Sequence, residues 1–449
     1  MRRGKIILAI LAGTSLVAGC GQTSASGSKT LTIAYWAFGP RGKSYAAWFN
    51  QVKPAFEKQH PGVTIVLEPI AAAENDFYTK LDLMMKSPST APDVVTEDTF
   101  LINADASAGL IQPLNSYVSS WKNWSQFEPA AKQAVTNKVG NIYGVPYDSD
   151  SRGLWYNVNL FKKAGLPVPW HPHNWNDIIA AATTLKAKDP GVIPFWSYVG
   201  KATGEATTMQ DFEMLLYGTG NSLYDSSTNK WIVSSPGFLS SLQFIQNVYS
   251  HGLGPQLSQI LNGQANNTET TQLMPEQKIG IALDVNVITA NWLPQGPAPW
   301  PSATKTYDLT AMPTENGQSP GYTSMSGGFA LSMSAHTKNK DLAWQFIQMA
   351  TSEKNMRTID IGLSGLPTRT DVIADPSYAN APGQVFKQAT SFLQYTHYRP
   401  ANAQYPEVST AIQTAVESVA TGSLSPQQAM AQYAQSVTRM VGASGVEHQ

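Results

Sequence analysis

Apolar positions along the first hundred residues change their spacing in a regular way. Leu31 to Trp36 reads as a strand. From Lys43 to His60, Tyr45, Trp48, Phe49, Val52 and Phe56 recur at helical spacing, and Pro61-Gly62 stops the run. Val63 to Leu67 reads as a second strand, and Asp76 to Lys86 as a helix with Phe77, Leu81 and Met85 on one stripe. Pro92 to Val95 is a short buried strand, followed by a helix near Phe100 to Ala108. Strand, helix, strand, helix predicts a largely parallel α/β sheet. Further on, helical spacing dominates. It predicts helices over Trp175–Lys188, Thr208–Tyr217, Pro236–His251, Leu342–Thr351, Pro406–Ala420 and Pro426–Val441, whose apolar stripes read as core. The polar stretch from Gly263 to Gln272 reads as a mobile loop.

The N-terminus has its own pattern. Arg2, Arg3 and Lys5 precede an apolar run from Ile6 to Ala12, and small residues lead to Leu16-Val17-Ala18-Gly19-Cys20. A basic segment, a short apolar segment and small residues before a cut describe a secretory signal, too short to persist as a membrane span. The stretch resembles a bacterial lipobox, which implies removal of residues 1–19 and a lipid on Cys20. Residues 20–28 read as a flexible tether. Cys20 is the chain's single cysteine, so a disulfide, a zinc thiolate or a cysteine nucleophile in the mature body is excluded.

Composition changes the picture in one respect. The chain has 449 residues, enough for at least two domains, yet only 14% are charged, against about 25% for an ordinary soluble domain. Net charge is −1, which gives no basic surface for nucleic acid. Against that scarcity stands "YGVPYDSDSRGLWYN" (143–157), where Asp148, Asp150, Ser151 and Arg152 gather between two strand-like segments.

Catalytic signatures are few. There is no G-x-S-x-G, H-E-x-x-H, Walker or G-x-G-x-x-G pattern in a fitting context. His171 and His173 lack an evident third metal ligand. Asp148 and Asp150 qualify as a glycosidase pair: two residues apart in an extended segment they point the same way, about 6–7 Å apart at the α-carbons. Arg152 beside them would hold a carboxylate ionised and spoil a general acid.

The segment 143–157 resembles the interdomain crossing of the family 1 extracellular solute-binding proteins, the carbohydrate-binding lipoproteins of ATP-driven (ABC) importers. "FEKQHPGVTIVLEP", "PDVVTEDTFLINADASAGLIQPLNSYV", "SGGFALSMSAHTKNKDLAWQFIQMATS", "GLPTRTDV" and "YRPANAQYPEVSTAIQTAVESVATGSLSPQQAM" resemble further family segments, in family order. The resemblance implies a two-lobe periplasmic-binding-protein-like α/β fold with a hinge and an interlobe ligand cleft. It puts the N-terminal lobe at 28–146 and 306–365, and the C-terminal lobe at 147–305 and 366–449. It also implies a monomer that closes on a di- or oligosaccharide, hands it to permease subunits, and performs no chemistry. No cofactor and no metal are implied.

Residue by residue, Asp98, Asp150 and Tyr147 match family ligand positions, as do the pair Gly327 and Gly328, and Arg399 in "YRP". Trp36 follows the first strand, where the family often presents a ligand-facing side chain. Asp148 and Arg152 join by neighbourhood, and Asp284 by its family-like polar position in "IGIALD". The family tryptophan after that motif falls on Val287, and Trp292 comes five residues later, so Trp292 is the candidate replacement. Such a residue set suits a sugar: carboxylates accept hydroxyls, arginine donates in a planar fork, and aromatic faces stack on C–H patches. The structural alternatives are a cap for Asp98 and an ion pair with Arg152 for Asp150. The functional alternatives are a surface glycoside hydrolase, a polysaccharide adhesin, or a receptor for a polyamine or a glycerol phosphodiester. The last would draw on Arg41, Lys43, Arg152, Arg369 and Arg399.

Overall fold

The computed structural model describes residues 29–72, 74–381 and 385–449. Cys20 and the signal and tether segments lie outside the described residues. In chain order the strands are β1 (Lys29–Trp36), β2 (Val63–Ile70), β3 (Val94–Asp98), β4 (Gly144–Pro146), β5 (Arg152–Asn157), β6 (Ile193–Trp196), β7 (Tyr224–Asp225) and β8 (Lys230–Ser234). They continue with β9 (Ile279–Val285), β10 (Tyr307–Thr310), β11 (Met312–Pro313), β12 (Tyr322–Ser326), β13 (Phe329–Met333), β14 (Thr396–Tyr398) and β15 (Val446–His448).

Two sheets carry the architecture. The first has the order β2-β1-β3-β13-β4, with β1, β2 and β3 parallel and β13 antiparallel to both of its neighbours. The second has the order β10-β5-β9-β6, with β5 antiparallel to β10 and β9. Two small sheets have the orders β11-β12-β14 and β15-β8-β7, and the first of them contacts β5. Parallel pairs need crossover connections, and helices supply them on the first lobe. The helix Gly39–Gln59 links β1 to β2 and buries the stripe read from sequence: Tyr45, Trp48, Phe49, Val52 and Phe56. Glu74–Met85 links β2 to β3 and buries Phe77, Leu81 and Met85.

The chain crosses between sheets at Tyr147–Ser151 and again at Gly327–Gly328. The strand β10 lies on the second sheet, where Tyr307 pairs with Asn157 and Thr310 with Leu154. Return to the first sheet therefore comes at Phe329, opposite Asp98 in β3, some twenty residues later than the expected boundary at 306. The segment after 365 also differs from its expected place. Leu366 bridges Ser149, Arg369 bridges Phe127, and Glu128 donates to the Thr368 carbonyl, so this stretch packs on the first lobe.

Two helical segments depart from the sequence reading. The region Thr208–Tyr217 begins as a wide-turn π-helix, Ala206–Glu213, before Met214–Gly218 closes to α geometry. Every residue from Thr207 to Glu213 is buried. The expected loop at 263–272 is instead a helical turn, Ala265–Thr268, continuing as a π turn, Glu269–Leu273, with Glu269 and Thr270 buried. Tertiary partners account for this. The indole of Trp292 donates to the Thr270 carbonyl at 2.8 Å, and Asn266 donates to the Tyr198 hydroxyl at 2.9 Å.

Candidate functional site: an interlobe cleft

The carboxyl ends of β1 and β3 and the two crossings open on a cavity of about 350 Å³ between the sheets. That is where ligands bind in open α/β sheets. Of the expected residues, Trp36, Asp98, Asp150, Arg152, Gly327, Gly328 and Arg399 line it.

Asp98 ends β3 and is buried. Its Oδ1 accepts from Arg399 Nη2 at 2.6 Å and from the Phe100 amide at 3.3 Å, and its Oδ2 accepts from the Tyr78 hydroxyl at 2.9 Å. Arg399 follows β14, reaches Glu205 Oε2 at 3.4 Å, and lies 4.5 Å over the ring of Phe100. One guanidinium thus joins a first-lobe carboxylate to a second-lobe one. Charge-assisted contacts of this kind are strong and directional. The charges of Asp98 and Glu205 raise the Arg399 guanidinium's basicity even against its burial.

Asp150 sits at the second lobe's entrance. Its Oδ1 accepts from Arg152 Nη1 at 2.7 Å and from the Gly327 amide at 2.7 Å. Burial acts to raise its pKa, but Arg152's charge and that amide hold it below the ordinary carboxylate value. Arg152 also donates to Gln210 Oε1 at 3.2 Å and to the Met325 carbonyl at 3.1 Å. At Gly327 a Cβ would stand 3.2 Å from Arg399 Nη2, and at Gly328 only 2.3 Å from the Asp148 carbonyl. Gly328 also adopts φ +148°, a conformation L side chains rarely take. These positions let the crossing backbone run against the ion pairs. Trp36 lines the cavity while its ring stacks on Phe77 and Phe329 at 5.7 and 6.2 Å, and its indole donates to the Ala72 carbonyl.

Four expected residues are not brought to the cavity lining. Tyr147 is packed edge-on against Tyr45 and beside Trp48 in the first-lobe core. Asp148 is turned into that lobe, where Oδ2 accepts from Arg41 at 2.8 Å and Oδ1 from the Phe329 amide at 2.7 Å. Asp284 is fully buried behind the second-lobe wall. Trp292 packs edge-on to Trp155 and Trp300, so it belongs to the second-lobe core, while Val287 itself lines the cavity. Burial, with Asp150's charge adding to it, lifts the Asp148 carboxyl to about 6, Arg41 opposing. A raised acid beside a lowered one is the pattern of a glycosidase pair, but only Asp150 meets the cavity.

The lining also includes residues the sequence reading missed: Phe38, Glu74, Tyr198, Glu205, Gln210 and Asn266. A signal existed for Glu205. "GKATGEATT" is a glycine-bracketed polar stretch after a strand and before a helix, the setting in which loops present ligand-facing groups. Asn266 was hidden because its segment has no apolar period. Phe38, 39% exposed, stands at the mouth as an unshared aromatic face. Burial, then the charge of Asp98, pushes the Glu74 carboxyl up to about 7.

Two lobes, a hinge built from crossing segments and a charged, aromatic-edged cleft between them define a two-lobe solute receptor. Comparison with known proteins identifies the lineage. The chain belongs to the bacterial extracellular solute-binding protein family, whose model matches residues 39–357. The galactooligosaccharide-binding protein of Bacillus subtilis is 24% identical, covering 97% of this chain and 97% of its own. A putative binding protein of Brucella abortus is 23% identical over 93% of this chain and 94% of its own. Among solved structures, a solute-binding protein of Thermotoga lettingae bound with α-D-tagatose superposes with a TM-score of 0.78 at 24% identity, covering 92% of this chain and all of the other. The GacH receptor of Streptomyces glaucescens, solved unliganded and with acarbose, gives 0.76 at 22% identity, covering 92% and 99%. Both share the two-lobe fold.

Proposed function

We propose that this protein is the extracytoplasmic receptor of an ABC importer, that it captures a di- or oligosaccharide by closing its lobes, and that it leaves the sugar chemically unchanged. The observation that carries this reading is the pairing inside the cleft. Each arginine that lines it, Arg41, Arg152 and Arg399, already bonds a carboxylate. Five lining acids, Glu74, Asp76, Asp98, Asp150 and Glu205, stand against those three arginines. An anionic ligand such as a glycerol phosphodiester would need convergent unpaired cations, and Arg369 is occupied outside the lining by Asp371, at 2.6 Å. A neutral polyhydroxy ligand instead finds ionised acceptors with spare lone pairs, fixed donors and a mouth aromatic. The acid excess keeps a polyamine as the competing ligand to be tested.

Closure follows from linkage. A sugar that touches Asp98 on one lobe and Glu205 or Arg152 on the other gains both sets of contacts only in the closed state, and so shifts the population towards it. Closure also removes water, which strengthens each polar contact. The signal-like N-terminus supports cleavage before Cys20, lipid attachment to its sulfur, and tethering of a monomeric body outside the cytoplasmic membrane, within reach of permease subunits.

The deciding experiment is a thermal-shift screen of the chain lacking residues 1–19, against mono-, di- and oligosaccharides, glycerol phosphodiesters and polyamines. A ligand that binds only the native state adds about 2.7 kcal/mol of stability at a hundredfold excess over its dissociation constant. A selective shift with a sugar recovered intact is the expected result. A shift only with a polyamine or a phosphodiester, or a sugar recovered cleaved, overturns the reading.

A further inference from the structure

Behind the second-lobe wall lies a group of acids outside the cleft lining. Glu269 and Asp284 are fully buried and Asp211 is 1% exposed. The Tyr198 hydroxyl stands among them, and Tyr198 itself lines the cleft, as does Asn266. Counting protons at that hydroxyl gives an unexpected result. Asn266 Nδ2 donates to it at 2.9 Å. Its own single proton has two carboxylate neighbours: Glu269 Oε2 in close contact, and Asp284 Oδ2 at 3.1 Å. One proton satisfies one of them. The remaining carboxylate faces an oxygen lone pair unless it carries a proton of its own.

Among the described residues no cation pairs with either acid. Asp211 is satisfied separately, by the Ser197 hydroxyl at 2.6 Å and the Tyr198 amide at 2.6 Å, and burial pushes its carboxyl well above the ordinary carboxylate range, so it offers no counter-charge. Asp284 Oδ1 takes the Val285 amide at 2.6 Å. Arg152, the arginine whose charge favours the Asp284 carboxylate, is bonded to Asp150, Gln210 and Met325 instead. Tyr307, which also feels the charge of Glu269, gives its proton to the Ile279 carbonyl. The second oxygen of Glu269, Oε1, receives no donor, and the Glu269 and Asp284 carboxyls also hydrogen-bond one another, which requires a proton on one of them. Burial, followed by the charge of Asp284, pushes Glu269 well above the ordinary carboxylate range, and burial raises Asp284 as well.

We propose that one proton, shared between Glu269 and Asp284, clamps Tyr198 and Asn266 into the cleft wall, and that its loss at alkaline pH releases the segment Ala265–Leu273. Glu269 is then a positioning residue for the binding site. The clamp accounts for an otherwise polar segment being helical and buried. Ionising both acids puts two like charges on one phenol oxygen, with no cation paired to them among the described residues, and the repulsion is relieved by moving the segment that carries Glu269.

The test uses the unliganded chain lacking residues 1–19, so it stands apart from the identity of the sugar. Amide hydrogen exchange, corrected for the intrinsic pH dependence of exchange, is followed between pH 6 and pH 9.5. Protection over 265–274 is expected to fall at least tenfold across that range, while β1 and β3 keep theirs. Glu269→Gln supplies a neutral donor of the same shape and should hold protection flat, and Asp284→Asn provides a second route to the same result. A wild-type segment that stays protected to pH 9.5 overturns the proposal. So does a folded Glu269→Gln protein that loses protection with the wild-type pH profile.

Discussion

Two buried charge systems lie on either side of the second-lobe wall and are built on opposite principles. At the cleft, Asp98, Asp150 and Glu205 are matched with Arg399 or Arg152, and Asp148 at the hinge is matched with Arg41. Behind the wall, Asp211, Glu213, Glu269 and Asp284 are buried, and none of the four makes an ion pair among the described residues. A buried carboxylate that has a guanidinium partner can stay ionised and present lone pairs to a ligand. One without a guanidinium must hold or share a proton, or be held by neutral donors, or lose its burial. The lesson is that a low overall charge does not mean a simple electrostatic interior. Arg41, Arg152 and Arg399 neutralise the acids at the cleft and hinge, and behind the wall protons and neutral donors take that role.

The largest effect should come from removing the cation that spans the lobes. Arg399→Met leaves Asp98 and Glu205 buried without a counter-charge, and a cost of about 3–5 kcal/mol in stability is expected by denaturant titration. Binding should be lost even in conditions where the variant stays folded. A melting curve and affinity close to wild type would show that the cleft pairs are not matched as described.

Gly328→Ala comes next. It sets a methyl group against the Asp148 carbonyl at φ +148°, and a loss on the order of 3 kcal/mol is expected from strain. Gly327→Ala, with a milder 3.2 Å approach to a flexible arginine, should cost less stability than Gly328→Ala. If the two variants proved equal in a melting experiment, the close approach at residue 328 would not be the constraint.

Asp148 and Asp150 separate hinge from cleft. Asp148→Asn weakens the Arg41 pair and should lower stability by about 1–3 kcal/mol, with ligand affinity changed little. Asp150→Asn should lower affinity more than stability. Calorimetric titration beside thermal melting reads both, and the reverse assignment would place Asp148 in the site.

The uncompensated acids predict the shape of the pH–stability curve. Burial, with Glu205's charge adding, pushes Glu213 from 4.5 up to about 8. Between those values the native state holds a proton that the unfolded chain has released, so stability falls as pH rises through the window and levels above it. Glu213→Gln should flatten that fall, visible as a smaller drop in melting temperature from pH 5 to pH 8. An unchanged slope would assign the proton elsewhere. The smallest expected effect is at the mouth. Phe38→Ala should weaken sugar binding by roughly 1 kcal/mol and leave stability close to wild type.

The sequence alone determined much of the frame. The period of Tyr45, Trp48, Phe49, Val52 and Phe56 fixed a helix between two strands, and the order of motifs pointed to two lobes and to Asp98, Asp150, Gly327, Gly328 and Arg399. These features are local, or sit in stretches whose composition differs sharply from the rest of the chain. Tertiary structure decided what depends on partners distant in sequence. Asp148 and Asp150 share parity, but the chain between Pro146 and Arg152 is a crossing rather than a strand, so one turns to Arg41 and the other to Arg152. Tyr307–Thr310 joins the second sheet because β5 offers it an edge, which no pattern within those four residues announces. Trp292 is drawn into the core by Trp155 and Trp300. The segment Ala265–Leu273 has no apolar stripe to declare a helix, and it is ordered by polar contacts to Tyr198 and Trp292 from other parts of the chain. Periodicity reports burial of apolar faces. It is silent where a segment is held by hydrogen bonds and protons, and those contacts exist only once the chain has folded.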